Sequence, residues 1–146
     1  MTVREQNEKK KEYLNGYRKK TRKIESLEEQ KKSILADMRN AKAIEYSDMP
    51  KGAGKQSDLS DYIVKLEGLI ERIEETKDQK NQMRIAIEEI IIGMENGIEC
   101  DILRKRYIEM KEWDIIANEL NYSKMQVYRI HGKALVNFYY SADDVS

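Results

Sequence analysis

Apolar side chains recur at alternating spacings of three and four along two stretches of this chain. Positions 10, 13, 17, 20, 24, 27, 31, 34, 38 and 41 read Lys10, Tyr13, Tyr17, Lys20, Ile24, Leu27, Lys31, Ile34, Met38 and Ala41, seven of ten apolar. The same stepping from 59 gives Leu59, Tyr62, Leu66, Leu69, Ile73, Thr76, Lys80, Met83, Ile87, Ile90 and Met94, nine of eleven apolar. Sustained 3-4 spacing marks a coiled-coil seam, so the pattern predicts two long helices. Pro50, Gly52 and Gly54 fall between them, which predicts a connector over 44–58, a first helix ending by about Ala43 and a second capped by Ser57 or Asp58. Folding the helices into a hairpin gives a register in which facing residue numbers sum to about one hundred, with Ala41 opposite Leu59 and Ile34 opposite Leu66. That register also sets Lys20 against Lys80, so a parallel dimer of either helix stands as the alternative.

From Gly93 onward the pattern breaks into short pieces. Asn96-Gly97 predicts a turn, 100–110 a helix, 113–120 a second and 124–140 a third, with Asn121-Tyr122-Ser123 as the break between the last two. Helix, tight turn and helix at this spacing predict a helix-turn-helix. Ile116, Ala117, Leu120, Tyr122, Val127 and Ile130 fall where two such helices touch each other and their support, and Ala117 is small where they pass closest. Asn121 sits at the reversal, a residue that tolerates the left-handed conformation. Ser123 and Gln126 form a Ser-x-x-Gln capping box that fixes where the last helix starts.

Composition narrows the function. The chain has 146 residues, 37% of them charged and 40% hydrophobic, one Pro, and a single Cys100 and His131. Such a chain suits long helices with wet faces and excludes a disulfide framework within one chain or a multi-Cys/His zinc site. The longest apolar run, Ile90-Ile91-Ile92, is far short of a membrane span, and the amino terminus lacks an apolar signal core, so a cytoplasmic protein is expected. The formal net charge of zero hides segregation: residues 1–57 carry 15 basic and 9 acidic side chains, residues 58–97 carry 5 and 10. Residues 123–140 carry Lys124, Arg129 and Lys133 and no acid.

With Val127, Ile130, Ala134, Leu135 and Phe138 inward, the last helix turns Ser123, Lys124, Met125, Tyr128, Arg129, Gly132 and Lys133 outward or to its rim. A recognition helix presents such a face to the major groove. Arg129 has the geometry to pair bidentately with guanine, worth ~1–3 kcal/mol of discrimination. Lys124 can do the same or hold a phosphate, Gln126 divides between its cap and an adenine, Ser123 and Tyr128 suit phosphates, and Met125 suits a thymine methyl.

Ile102-Leu103-Arg104-Lys105-Arg106-Tyr107, then Trp113-Asp114-Ile115-Ile116-Ala117-Asn118-Glu119-Leu120, then Tyr122-Ser123-Lys124-Met125-Gln126-Val127 through Lys133-Ala134-Leu135, resembles region four of bacterial sigma factors. The chain is closer to small phage and prophage regulators of that type, the RinA/ArpU-like late-gene activators, a likeness extending over residues 48–140. The resemblance implies binding to double-stranded promoter DNA in a bacterial host cell, with contact to RNA polymerase. Nothing here matches sigma region two, so it implies an accessory activator rather than an autonomous sigma factor.

The expected fold is therefore all-α: two long amino-terminal helices over 1–95, as a hairpin or a homo-oligomer, then a helix-turn-helix domain over 96–146. Deleting residues 1–57 is expected to leave that domain folded. A packaging protein of the terminase small-subunit class is the alternative, although such proteins usually put the DNA-binding unit first. No enzyme is expected: Ser123 and His131 stand two turns apart, and the adjacent carboxylates Glu88-Glu89 and Asp143-Asp144 share no helix face. Gly52-Ala53-Gly54-Lys55 lacks the leading Gly and following Ser or Thr of a phosphate loop. No cofactor, metal or membrane partner is implied. Trp113 is expected in the core or at a groove edge, Cys100 as a reduced thiol, His131 at the packing boundary or a phosphate, and the Lys9-Lys10-Lys11 and Arg18–Lys23 clusters on a wet helix face, with a non-specific DNA clamp as the alternative.

Overall fold

A computed structural model describes residues 1–48 and 54–139, with side chains of 44–48 and 54–58 left aside. The chain is all-α, with α1 Val3–Asp48, α2 Gly54–Ile92, α3 Gly97–Leu103 running on as a π-helical turn Arg104–Ile108, α4 Trp113–Leu120 and α5 Lys124–Asn137. The two long helices pack as a hairpin.

Both long helices outrun their expected ends. α1 continues to Asp48 because the steric demand of Pro50 falls on position 49 and nothing before it breaks the helix. α2 starts at Gly54, which leaves Ser57 and Asp58 inside its first turns rather than as caps. The centre of the expected connector, 49–53, lies outside the described residues.

Packing sorts the chain into two compact units, Thr21–Gln79 and Met1–Lys20 with Lys80–Ser146. In the first, Leu27, Ile73 and Thr76 are buried, and Glu28 meets Lys77 at 3.7 Å. Thr76 is tolerated in this seam because its hydroxyl donates to the Arg72 carbonyl at 2.7 Å, so no polar group is orphaned.

In the second unit, Leu14 and Tyr17 of α1 share a core with Ile87, Ile91, Leu103, Tyr107, Ala134, Leu135 and Phe138. A Cβ on Gly16 would come within 2.6 Å of Met83 Cε, the far end of a flexible side chain that can swing aside. Lys80 lies over the Tyr17 ring, 5.2 Å from its centroid, a cation–π contact that answers the like-charge problem at this register. This core groups Met1–Lys20 with Lys80–Ser146 rather than dividing the packing at 95/96. The first turns of α1 are part of what α3 and α5 bury.

The short helices start at defined caps. Asn96, expected in a turn, is the N-cap of α3: its Oδ1 accepts from the backbone N–H of Ile98 and Glu99, so the helix begins at Gly97 rather than at Cys100. It ends through the π-helical turn, where Glu109 N–H donates to the Arg104 carbonyl at 2.9 Å and Met110 takes a left-handed φ of 57°. α5 stops at Asn137, short of the expected Tyr140, which lies outside the described residues. Lys10 donates to the carbonyls of Leu135 (2.8 Å) and Val136 (3.2 Å), so a lysine from α1 satisfies the end of α5. Lys10 is therefore neither seam nor wet face.

Candidate nucleic-acid interface

α4, the break and α5 form a bihelical unit over its own small core. Ile102 of α3, Ile116 and Ala117 of α4 and Val127 of α5 are buried together, with Trp113, Leu120, Tyr122 and Ile130 packed around them. The reversal is made by Asn121 at φ 59°, ψ 39°, whose N–H closes the last turn of α4. Ser123 then caps α5 reciprocally: its Oγ accepts from Gln126 N–H at 3.2 Å, and its own N–H donates to Gln126 Oε1 at 2.9 Å. A left-handed turn and a two-way cap fix the direction in which α5 leaves α4.

All seven candidate residues are exposed. Ser123 and Gln126 sit at the cap; Met125, Arg129 and Lys133 follow at intervals of four along one side of α5. Met125 is 75% exposed, unusual for a thioether on a well-packed helix. Lys124 is held by an ion pair to Asp114, in the first turn of α4. Arg129 and Lys133 have no ion-pair partner among the described residues. Gln126 commits Oε1 to the cap, so a bidentate adenine contact would have to break that cap. Tyr128 is half-exposed, its ring edge-on to Trp113 with centroids 5.4 Å apart, which steadies its hydroxyl at the flank.

Behind this face lies an aromatic and imidazole cluster. Trp113 meets the His131 ring edge-on at 4.7 Å, and the Arg106 guanidinium lies 4.6 Å from the Trp113 centroid. His131 is only 7% exposed, and its Nε2 shares a 2.8 Å hydrogen bond with the Tyr107 hydroxyl. Burial, reinforced by the positive fields of Lys11 and Arg106, lowers His131 to about 4, so the imidazole is neutral near pH 7. Burial pushes the Tyr107 phenol up to about 12. His131 is thus buried where α5 packs on Tyr107 and Trp113. Cys100 is half-buried, its Sγ 3.3 Å from the Ile91 carbonyl, and burial raises its pKa, which keeps it a thiol.

Two features of the site were missed from sequence. Asp114 reaches Lys124 only because α4 and α5 cross, and sequence spacing carries no sign of it. Asn7 of α1 donates to the Gly132 carbonyl at 3.5 Å, which with Lys10 docks α1 along the flank of α5. The basic amino-terminal run was the available signal, but it reads equally well as a solvated face. Among the described residues no cluster of His, Cys, Asp and Glu could hold a metal ion, and no helix is long and apolar enough to cross a membrane.

No protein-family model, curated protein or solved structure matches the chain.

Proposed function

We propose that the chain is a sequence-specific DNA-binding regulator that lays α5 in the major groove. The observation that carries this reading is the exposed, acid-free side of α5, set at a fixed angle to α4 by the Asn121 turn and the Ser123 cap. A helix of this diameter fits the major groove, and phosphates draw in its cations. Arg129 reads a guanine through its O6 and N7. Lys133 and Tyr128 hold phosphates, Met125 lies against a thymine methyl, and Ser123 and Lys124 contact the backbone at the helix start. Gln126 keeps an N–H donor for a base or phosphate. Lys124 exchanges Asp114 for DNA on binding, an exchange between two exposed partners that costs little.

The biological role that goes with this is a phage or prophage late-gene activator of the RinA/ArpU-like type, acting at a promoter in the bacterial cytoplasm beside RNA polymerase. The long helices supply a surface for self-association.

Substitution separates base reading from phosphate holding. On a duplex enriched from a random pool, Arg129→Ala is expected to cost ~1–3 kcal/mol and relax preference at one base pair, leaving weak binding to random DNA nearly unchanged. Lys133→Ala is expected to weaken selected and random duplexes alike and to lower the slope of log K against log salt by about one. Equal losses on both duplexes for both variants would remove the base-reading role of Arg129.

A further inference from the structure

Between the first turns of α1 and the α4–α5 pair lies a cleft of about 670 Å³. Arg4 and Lys11 of α1 and Arg106 of the π-helical turn line it, together with Trp113 at the start of α4 and Tyr128 and Gly132 on α5. We propose that this cleft seats the DNA backbone, with a phosphate between Arg4, Lys11 and Arg106 while α5 occupies the adjoining groove. The inference rests on the DNA-binding reading and adds to it an interface from the opposite end of the chain.

Three observations converge on it. In helix-turn-helix docking the first helix crosses the backbone that borders the groove. Here the first residue of that helix, Trp113, forms the cleft wall, and the flank of the second helix forms another. Second, α1 is fixed in place by the Asn7 contact to Gly132 and the Lys10 contacts to Leu135 and Val136, so Arg4 and Lys11 stand beside α5 rather than on a loose tail. Third, Arg4, Lys11 and Arg106 line one and the same cleft, and the positive fields of Lys11 and Arg106 at His131 in its wall agree with that placement. The opposing carboxylates are Glu8, 3.1 Å from Lys11, and Glu112, 3.9 Å from Arg106; both side chains are largely exposed and easily displaced by a phosphate.

The test measures duplex affinity across a salt series for the full chain, Arg4→Ala/Lys11→Ala and Glu8→Gln. Trp113, the only tryptophan, gives a separate optical readout of the cleft. The double variant is expected to lower the salt slope by about one, the release tied to a single phosphate, equally on selected and random duplexes. Glu8→Gln is expected to tighten binding about two- to fivefold, the scale of one exposed charge pair. Duplex DNA should shift Trp113 emission saturably, whereas inorganic phosphate or pyrophosphate should not. If the variants match the wild type while all bind duplex, the backbone seat is wrong and the α5 reading stands. Saturation by inorganic phosphate with no response to duplex would mean that the cleft takes a free phosphoester instead, overturning the proposal. Failure of the wild type to bind any duplex at low salt would overturn both. Should the double variant lose its fold by circular dichroism, Glu8→Gln decides alone, and unchanged affinity refutes the seat.

Discussion

Removing residues 1–20 is expected to abolish cooperative folding of the carboxyl-terminal helices. Leu14 is fully buried and Tyr17 nearly so, against Ile87, Leu103 and Phe138, all of which would be left facing water. Truncating one such leucine to alanine typically costs ~2–5 kcal/mol. Deleting the whole segment removes both side chains, the Lys10 contacts that close α5 and the Asn7 contact to Gly132, against a total stability of about 5–15 kcal/mol. Thermal melting of residues 21–146 by circular dichroism should show no sharp transition. Leu14→Ala in the full chain should keep one, shifted down by ~3 kcal/mol. A cooperative, wild-type-like melt of the truncated chain would mean that α1 only decorates this core.

Acid is expected to destabilise the protein through His131. Its folded pKa is lowered from 6.5 to about 4, chiefly by burial and then by Lys11 and Arg106. Between those values the unfolded chain binds the proton and the folded chain does not, so stability falls as pH drops through 6.5 towards 4 and is fully present above 6.5. The depression corresponds to about 3 kcal/mol over that window. Urea melts at pH 7, 5 and 4 should show it, and His131→Gln should flatten the difference because its amide does not titrate. Carboxylates add their own slope at the acid end, so the measurement is the gap between wild type and variant. Parallel curves would mean that the imidazole takes up its proton without cost in the folded protein.

Those two outcomes turn on contacts that the chain's patterning did not reveal. The Asn121 reversal and the Ser123–Gln126 box are local, each following from spacing or from one residue's backbone preference, and the structure has them; the seam holds at Tyr17, Leu27, Ile73 and Ile87 but misses the buried Leu14 and Ile91. The role of α1 was hidden because Lys10, Tyr13 and Tyr17 fit a two-helix seam as well as they fit a pocket under α5. Spacing identifies the buried stripe of a helix but not which of several neighbours covers it. His131 was placed at the packing boundary, but its partners were not legible, because Tyr107 and Trp113 arrive from other helices. The exposed face of α5 was legible by subtraction, once its inward positions were known, while the Asp114 partner of Lys124 was not, since it is set by a helix crossing.

The most direct measurement selects duplexes from a random pool with the full chain and maps guanine N7 on the enriched site with dimethyl sulfate. A defined motif, N7 protection in the major groove, and return of reactivity at one guanine in Arg129→Ala are expected. A pool that stays random, or a footprint that the variant leaves unchanged, would contradict the claim that α5 reads DNA.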